Sequence, residues 1–548
     1  MTVTTNGATK GTTSTTTGAT GVDAPTPAVR QVGSYVGGAW RTDAPGGRLR
    51  SVDPARTGEV VAEALLGDRD TFVEACRAAR AAQRAWAATP PPVRGRVVER
   101  IGRLVEANFD ALAALVTREI GKPLAEARGE VQEVVDTCAF FAGEGRRLYG
   151  QTVPSEMPDK QLFTFRVPVG VAAIVTAGNF PVAVPSWYLV PALLCGNAVV
   201  WKPAEYTPAI AEAFTELFAH AGLPAGVLNT VLADGPDTYD GLSTALDAGL
   251  VDKIGFTGSS AVGVRIGELA GRHLQTPCLE LGGKNPLVVM PDADLDLAVE
   301  GALFSGFGTA GQRCTSLGTV IAHESVHDEF LRRFDTAVRA AVIGDPARDD
   351  VLYGPMISQR FLDAFLGHLD LVRGHHSLHG STGTGRITAG NPREGFAGDA
   401  EAGLYAHPTI VAGVRGDDEI AHTETFGPVV GVASFATFDE AVALANGHGY
   451  GLSAAIYTTN PVNAFRFRER VSAGMVSVNN STSGAEAHLP FGGNGRSGNG
   501  SRQSGIWVLD QFTRWQSMNW DYAGKLQKAQ MDTADDAGVA ADPGFRLG

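Results

Sequence analysis

Apolar and polar positions in this chain repeat with two periods, and the period changes at identifiable breaks. Phe72, Cys76, Ala79 and Trp86 recur at helical spacing, which predicts a helix with one buried face. A Thr-Pro-Pro-Pro break at 89–92 precedes a second helix carrying Val97, Ile101, Leu104 and Val105, and a third helical stretch covers 123–147. Residues 151–167 mix polar and apolar positions and read as an exposed strand pair. A regular alternation then begins. Residues 170–176 (GVAAIVT) and 197–202 (NAVVWK) are short apolar runs suited to buried strands, and further strands fall near 227–232 and 253–256. Helices are predicted between them at 182–195, 208–221, 236–246 and 259–271. Short apolar strands alternating with helices imply a parallel sheet covered on both faces, so the fold class is α/β. A second alternating region supplies strands at 317–323, 429–435 and 453–458, with helices at 326–342 and 438–446.

The ends differ from this body. Residues 1–30 are rich in Thr, Gly and Ala, cannot form a core, and read as a disordered tail; structure is expected to begin at 35–40 (YVGGAW). Trp507, Phe512, Trp515, Met518 and Trp520 cluster near the other end. Aromatic residues are enriched at interfaces, so a subunit contact is expected there in preference to core. Residues 375–400 read as a Gly-rich loop holding His375, His376 and His379. No acidic or cysteine set accompanies them, so no metal is expected.

Composition narrows the function. A chain of 548 residues allows two or three domains, and 44% hydrophobic residues is ordinary for a globular protein. The net charge of −14 argues against a nucleic-acid partner. Cys76, Cys138, Cys195, Cys278 and Cys314 are odd in number and scattered, which is neither a disulfide framework nor a zinc pattern and fits a reducing compartment. No apolar run approaches the roughly 18 residues that cross a bilayer. With no signal or transit pattern at the N-terminus, the cytoplasm is the expected location.

Candidate chemistry centres on residues 308–315 (GTAGQRCT). Glycines let the backbone approach a ligand closely, and Arg313 beside Cys314 would favour thiolate over thiol. A cysteine can equally be a small buried hydrophobe, the reading taken for Cys76 and Cys138. Glu280, in the apolar run 278–283 (CLELGG), would have a raised pKa suited to a general base if desolvated; an ion-paired strand end is the alternative. Asn179 follows the first parallel strand and could donate to an oxyanion, or simply occupy a turn. Lys202 and Glu205 follow a strand and could hold ribose hydroxyls. Residues 256–263 (FTGSSAVG) follow another strand and open a helix, whose N-terminus suits a phosphate.

Asn179, Lys202 with Glu205, 256–259 (FTGS), 280–283 (ELGG), 311–314 (GQRC) and 424–428 (ETFGP) occur in an order that resembles the NAD(P)-dependent aldehyde dehydrogenase superfamily, over about 35–520. Residues 129–133 (GEVQE), 179–184 (NFPVAV), 308–314 (GTAGQRC), 422–426 (HTETF) and 483–486 (SGAE) look like its antiquitin (α-aminoadipic semialdehyde dehydrogenase) branch. Residues 487–493 (AHLPFGG) follow the general family pattern instead, Gly178 replaces the usual bulky residue, and a related bacterial branch fits as well.

The resemblance implies a Rossmann-like cofactor domain (31–150 and 168–279), a catalytic domain (280–484), an oligomerisation arm (151–167 and 485–530) and a tail (531–548). It implies oxidation of an aldehyde to an acid by Cys314, with Asn179 holding the oxyanion and Glu280 activating water. Lys202, Glu205, Phe256, Gly258, Ser259, Glu424 and Phe426 would bind the cofactor, NAD by preference and NADP within the family's range. Arg313, Glu130 or Glu133, Gly484 and Ala485 would meet the substrate, α-aminoadipic semialdehyde, succinic semialdehyde or a broader set of aldehydes. The protein would be a homodimer or homotetramer. An acyl-transferring reductase and a non-catalytic binding protein are the competing readings; Glu280 argues against the first, and the joint presence of Asn179, Glu280 and Cys314 against the second.

Overall fold

The computed structural model describes residues 29–526 together with Gly544 and 546–548. The tails read at 1–30 and 531–548 therefore lie mostly outside the described residues. Two seven-stranded sheets organise the molecule. In the first, Cys278–Glu280, Lys253–Thr257, Val171–Val175, Ala198–Lys202 and Leu228–Thr230 run parallel in that spatial order, and Tyr35–Val36 and Ala39–Trp40 close the edge antiparallel. Successive side chains feed opposite cores. Val171, Ala173, Ala198 and Val200 pack with Phe72, Cys76 and Ala79 of helix Arg69–Ala88. Ala172, Ile174, Val199 and Trp201 pack on the other side with helix Ala183–Leu194, every residue of which is buried. This is the two-faced burial that continuous apolar strands require.

Local chemistry fixes the helix ends that frame the site. Asp68 accepts the Thr71 N–H while the Thr71 hydroxyl accepts the Asp68 N–H, a reciprocal cap. Buried carboxylates cap two other helices. Glu130 accepts the N–H groups of Val182 and Ala183, and Glu119 those of Ala209 and Ile210. Each places negative charge at the positive end of a helix.

The second sheet runs Ser377–His379, Thr409–Ala412, Val429–Phe435, Leu317–His323, Asn285–Val289, Ser453–Tyr457 and Met475–Val478, parallel except for the first strand. It too is buried on both faces: Leu287 and Val289 enter one core, Val288 the other. The strand pair expected at 151–167 is Gln151–Val153 against Lys160–Pro168, and Thr513–Asp521 pairs antiparallel with the latter along its whole length. This three-stranded sheet carries exposed Phe165, Trp515, Met518 and Trp520.

Several elements depart from the sequence expectation. Helix Phe109–Ile120 stands between the second and third predicted helices, separated from its predecessor by Asn108 alone and ended by Gly121 at φ 72°. Strands Gly47–Asp53 and Arg56–Leu66 form a hairpin near the N-terminus. The 375–400 stretch is not wholly a loop, since Ser377–His379 is the edge of the second sheet.

Candidate active site

The carboxyl ends of the first sheet and the loop ending at Cys314 enclose a cavity of about 480 Å³. Cys314, Glu280, Glu133, Arg313, Gly484 and Ala485 all line it. The loop is conformationally demanding. Thr309 and Ala310 sit at φ 51° and 53°, a region non-glycine residues rarely occupy. Glu126 holds them there: its carboxylate accepts the Thr309 N–H, the Thr309 hydroxyl and the Arg313 guanidinium. Gln312 adds a clasp, donating to the Thr309 carbonyl (3.1 Å) and accepting the Ile357 N–H (3.0 Å). Asn285 donates to the carbonyls of Cys314 (2.8 Å) and Ser316 (2.7 Å).

The thiol of Cys314 is pushed up to about 12 by burial and by the nearby Glu424 and Glu280. The expectation that Arg313 favours its thiolate is corrected. That guanidinium is engaged by Glu126 and lies 4.6 Å over the Phe304 ring. Asn179 donates its amide to the Gln312 carbonyl at 2.9 Å, two residues from Cys314; one of its two N–H groups is thereby used.

Glu280 ends strand Cys278–Glu280 and is 2% exposed. Neither carboxylate oxygen has a hydrogen-bond partner. Burial pushes this carboxyl well above its usual range, and Arg502 offsets only part of that. A Cβ on Gly492 would stand 2.6 Å from its Oε1, so only glycine fits against the acid.

The two early-helix glutamates separate clearly. Glu130 is engaged by Lys122 and by the helix N-terminus it caps. Glu133 keeps Oε1 without a partner, and burial, with the neighbouring Glu130 charge, pushes it up to about 8. Opposite lies Ser483, whose hydroxyl accepts from Thr315 at 3.3 Å.

A second group of predicted residues gathers along the carboxyl edge of the same sheet. Lys202 donates to Glu205 at 2.8 Å. Burial works against the ionised form of Glu205, yet Lys202 holds it below the usual carboxylate range. Ser259 caps helix Ser260–Arg272, accepting the Val262 N–H. The buried Phe256 ring leaves no room for a Cβ on Gly258, whose N–H donates to the Glu280 carbonyl (3.1 Å). Glu424 accepts the Gly283 N–H (3.1 Å) and lies so close to Gly282 that a Cβ there would be 1.9 Å from its Oε2. Burial pushes Glu424 up to about 7 against the pull of Lys284. Phe426 stands at φ 42°, its ring 5.8 Å from Phe361. An ion pair at the sheet edge, a serine-capped helix N-terminus and a glycine-backed carboxylate together suit a dinucleotide.

The histidine stretch gains an acid that sequence distance concealed. His375 and His376 both direct Nε2 to Asp418, at 3.1 and 2.9 Å. His376 accepts the Arg373 N–H at Nδ1, which puts its proton on Nε2 and leaves no lone pair there for a cation. The cluster is a hydrogen-bonded tie between loops.

Gln503 and Glu126 carried no recognised signal as site residues in the sequence; each reaches the cavity from a segment remote from Cys314. A thiol, a desolvated carboxyl and an amide donor beside a dinucleotide-type edge fit an NAD(P)-dependent oxidoreductase of carbonyl compounds. The profile of the Aldehyde dehydrogenase family matches residues 40–518, and the chain belongs to that family. It is 38% identical over 484 residues to an alpha-ketoglutarate semialdehyde dehydrogenase of Haloferax volcanii, covering 88% of this chain and 97% of that one. It is 35% identical over 505 residues to aldehyde dehydrogenase family 7 member A1 of Pisum sativum, covering 91% and 95%. Betaine aldehyde dehydrogenase from Staphylococcus aureus, solved in complex with NAD+, superposes with a TM-score of 0.84 at 29% identity, covering 90% of this chain and 96% of that one. The protein is an NAD(P)-dependent aldehyde dehydrogenase.

Proposed function

We propose that this enzyme oxidises a short semialdehyde with a carboxylate at its far end, and releases the acid by hydrolysis. The observation that carries hydrolysis is Glu280, a buried carboxyl with neither oxygen partnered, in the same cavity as Cys314. An acyl-transferring enzyme needs no base to activate water.

The residues then take these roles. The Cys314 thiol gives its proton to Glu280, and the sulfur forms a bond to the aldehyde carbon while the carbonyl oxygen takes the electron pair. The remaining Asn179 N–H and the Cys314 backbone N–H hold that oxyanion. A bound nicotinamide supplies the hydride acceptor, and its positive charge favours thiolate. Lys202 and Glu205 would hold one ribose of that cofactor, Ser259 its pyrophosphate, and Glu424 with Phe426 the second ribose. Glu205 also favours NAD, because a carboxylate there repels a 2′-phosphate. Glu280 passes the thiol's proton on to solvent, and the thioester left on Cys314 is then cleaved by water that Glu280 deprotonates.

At the far end, Arg313, Ser483 and a neutral Glu133 give a polar pocket that suits a carboxylate. The Haloferax volcanii relative named for alpha-ketoglutarate semialdehyde supports this class. A second reading, a semialdehyde bearing an α-amino group, is favoured by the unpartnered Oε1 of Glu133, which an ammonium would pair. Rates with alpha-ketoglutarate, α-aminoadipic and succinic semialdehydes and a plain aliphatic aldehyde decide. The proposal expects kcat/KM highest for a carboxylate-bearing semialdehyde, and a preference for the aliphatic aldehyde contradicts it.

We read residues 31–150 and 168–279 as the cofactor domain and 280–484 as the catalytic one. The exposed aromatics of strand Thr513–Asp521 support a homo-oligomer built through this arm. Five free cysteines support a reducing, cytoplasmic setting. No helix among the described residues is long and apolar enough to cross a membrane.

A further inference from the structure

The catalytic cavity contains, besides Glu280 and Glu133, a third side chain with unmet hydrogen-bonding capacity. Gln503 is 1% exposed and lines the cavity with Glu280 and Cys314. Neither its Nε2 nor its Oε1 has a partner. Its backbone is fully occupied: Gln503 and Phe491 exchange both N–H···O bonds, at 2.7 and 2.9 Å. That bridge sets Gln503 across from Phe491, whose neighbour Gly492 is the glycine packed against the Glu280 carboxylate. The backbone bridge would form with any residue at 503, and an apolar side chain would fill the space without stranding an amide. A buried amide left unpaired is unfavourable unless something in the cavity meets it. Glu280 and Gln503 are not bonded to each other, so each is available to the same small polar molecule.

We propose that Gln503 is a positioning residue for the hydrolytic water. This rests on the hydrolytic reading above. Its Oε1 accepts one O–H of the water while the other O–H points to Glu280. The lone pair on the water oxygen then faces the thioester carbon. In the step itself the water oxygen bonds to the acyl carbon, the C–S bond breaks and Cys314 leaves as thiolate. The first water proton goes to Glu280, and the second stays on the acid until solvent takes it. An amide suits this place because it orients water and does not compete with Glu280 for the proton. The prediction is specific to deacylation, since thiol attack and hydride transfer precede the water's entry.

The test is stopped-flow NADH formation by the full chain with saturating NAD+ and a good aldehyde substrate. It compares wild type with Gln503→Leu and Gln503→Glu, with and without hydroxylamine, which cleaves thioesters with no need of a positioned water. In Gln503→Leu the first NADH per site is expected to form at the wild-type rate. Steady turnover should then fall by about tenfold, the loss of one oriented hydrogen bond. Hydroxylamine should stimulate that variant by a larger factor than wild type. In Gln503→Glu the added carboxylate should raise the pKa seen in steady turnover. A burst slowed in step with turnover, unchanged turnover, or no extra stimulation by hydroxylamine overturns the proposal. If Gln503→Leu does not fold, an unshifted profile in Gln503→Glu overturns it alone. Wild-type enzyme that releases no acid without coenzyme A overturns the hydrolytic reading instead.

Discussion

Glu126 is the most informative single substitution outside the residues proposed to do the chemistry. Its carboxylate is 15% exposed and gathers the Thr309 N–H, the Thr309 hydroxyl and the Arg313 guanidinium, which is itself 8% exposed. Removing one partner of a buried ion pair costs about 3–5 kcal/mol, because the other charge stays behind. The left-handed conformations of Thr309 and Ala310 store about 1–3 kcal/mol each, which the clamp must outweigh. The two magnitudes are comparable, so without the clamp the loop has no reason to keep its shape. A displacement of about 1 Å at a reacting group can lower the rate by about a hundredfold. Glu126→Gln should therefore lower kcat/KM by about a hundredfold and slow alkylation of Cys314 by iodoacetamide. NAD binding, followed by quenching of NADH fluorescence, should not change, since Lys202, Glu205 and Ser259 lie on other elements. Combining it with Arg313→Met should recover thermal stability without recovering activity. Wild-type kcat/KM in Glu126→Gln would refute the clamp. Acid gives an independent check. Burial opposes the ionised form of Glu126, but Arg313 and Thr309 outweigh it and hold the carboxyl below its usual range. The stability this supplies is fully present above the unfolded value of about 4.3. It is lost as pH falls through the lower folded value, and Glu126→Gln should remove that acid-side dependence.

Three further outcomes follow from the same geometry. Glu133, pushed up to about 8, is protonated at neutral pH and gains charge above that value; KM for a carboxylate-bearing semialdehyde should rise through pH 8, and Glu133→Gln should flatten the rise. Glu205→Gln removes the charge facing the ribose, so the ratio of kcat/KM with NADP to that with NAD should rise about tenfold, and an unchanged ratio refutes the role. Trp515 and Trp520 are 50% and 55% exposed on the arm; changing both to Arg should yield a smaller particle by light scattering, and an unchanged mass argues against the arm as the interface.

The parallel sheets were legible in the sequence because their strands are buried on both faces and bracketed by helices. Leu317–His323, Val429–Phe435 and helix Phe438–Asn446 fall where the apolar pattern puts them. Helix Phe109–Ile120 escaped because one residue, Asn108, separates it from the helix before, so no break marks its start. Asn285–Val289 escaped because it follows Glu280 after only four residues yet belongs to the other sheet. At the site, Cys314, Glu280 and Asn179 announced themselves by local context. Gln503 and Glu126 did not, because their meaning lies in partners 189 and 183 residues away, Cys314 and Thr309. Arg313 shows the converse: adjacent to the thiol in sequence, it is turned away to Glu126 in space.

The central claim is hydrolytic aldehyde oxidation through Cys314. Its most direct measurement is NADH and acid formation from a semialdehyde by wild type, Cys314→Ser and Glu280→Gln, with no coenzyme A or phosphate present. The account predicts equal amounts of NADH and acid from wild type, neither from Cys314→Ser, and one NADH per site with little acid from Glu280→Gln. Turnover by Cys314→Ser, or acid released at the wild-type rate by Glu280→Gln, would contradict it.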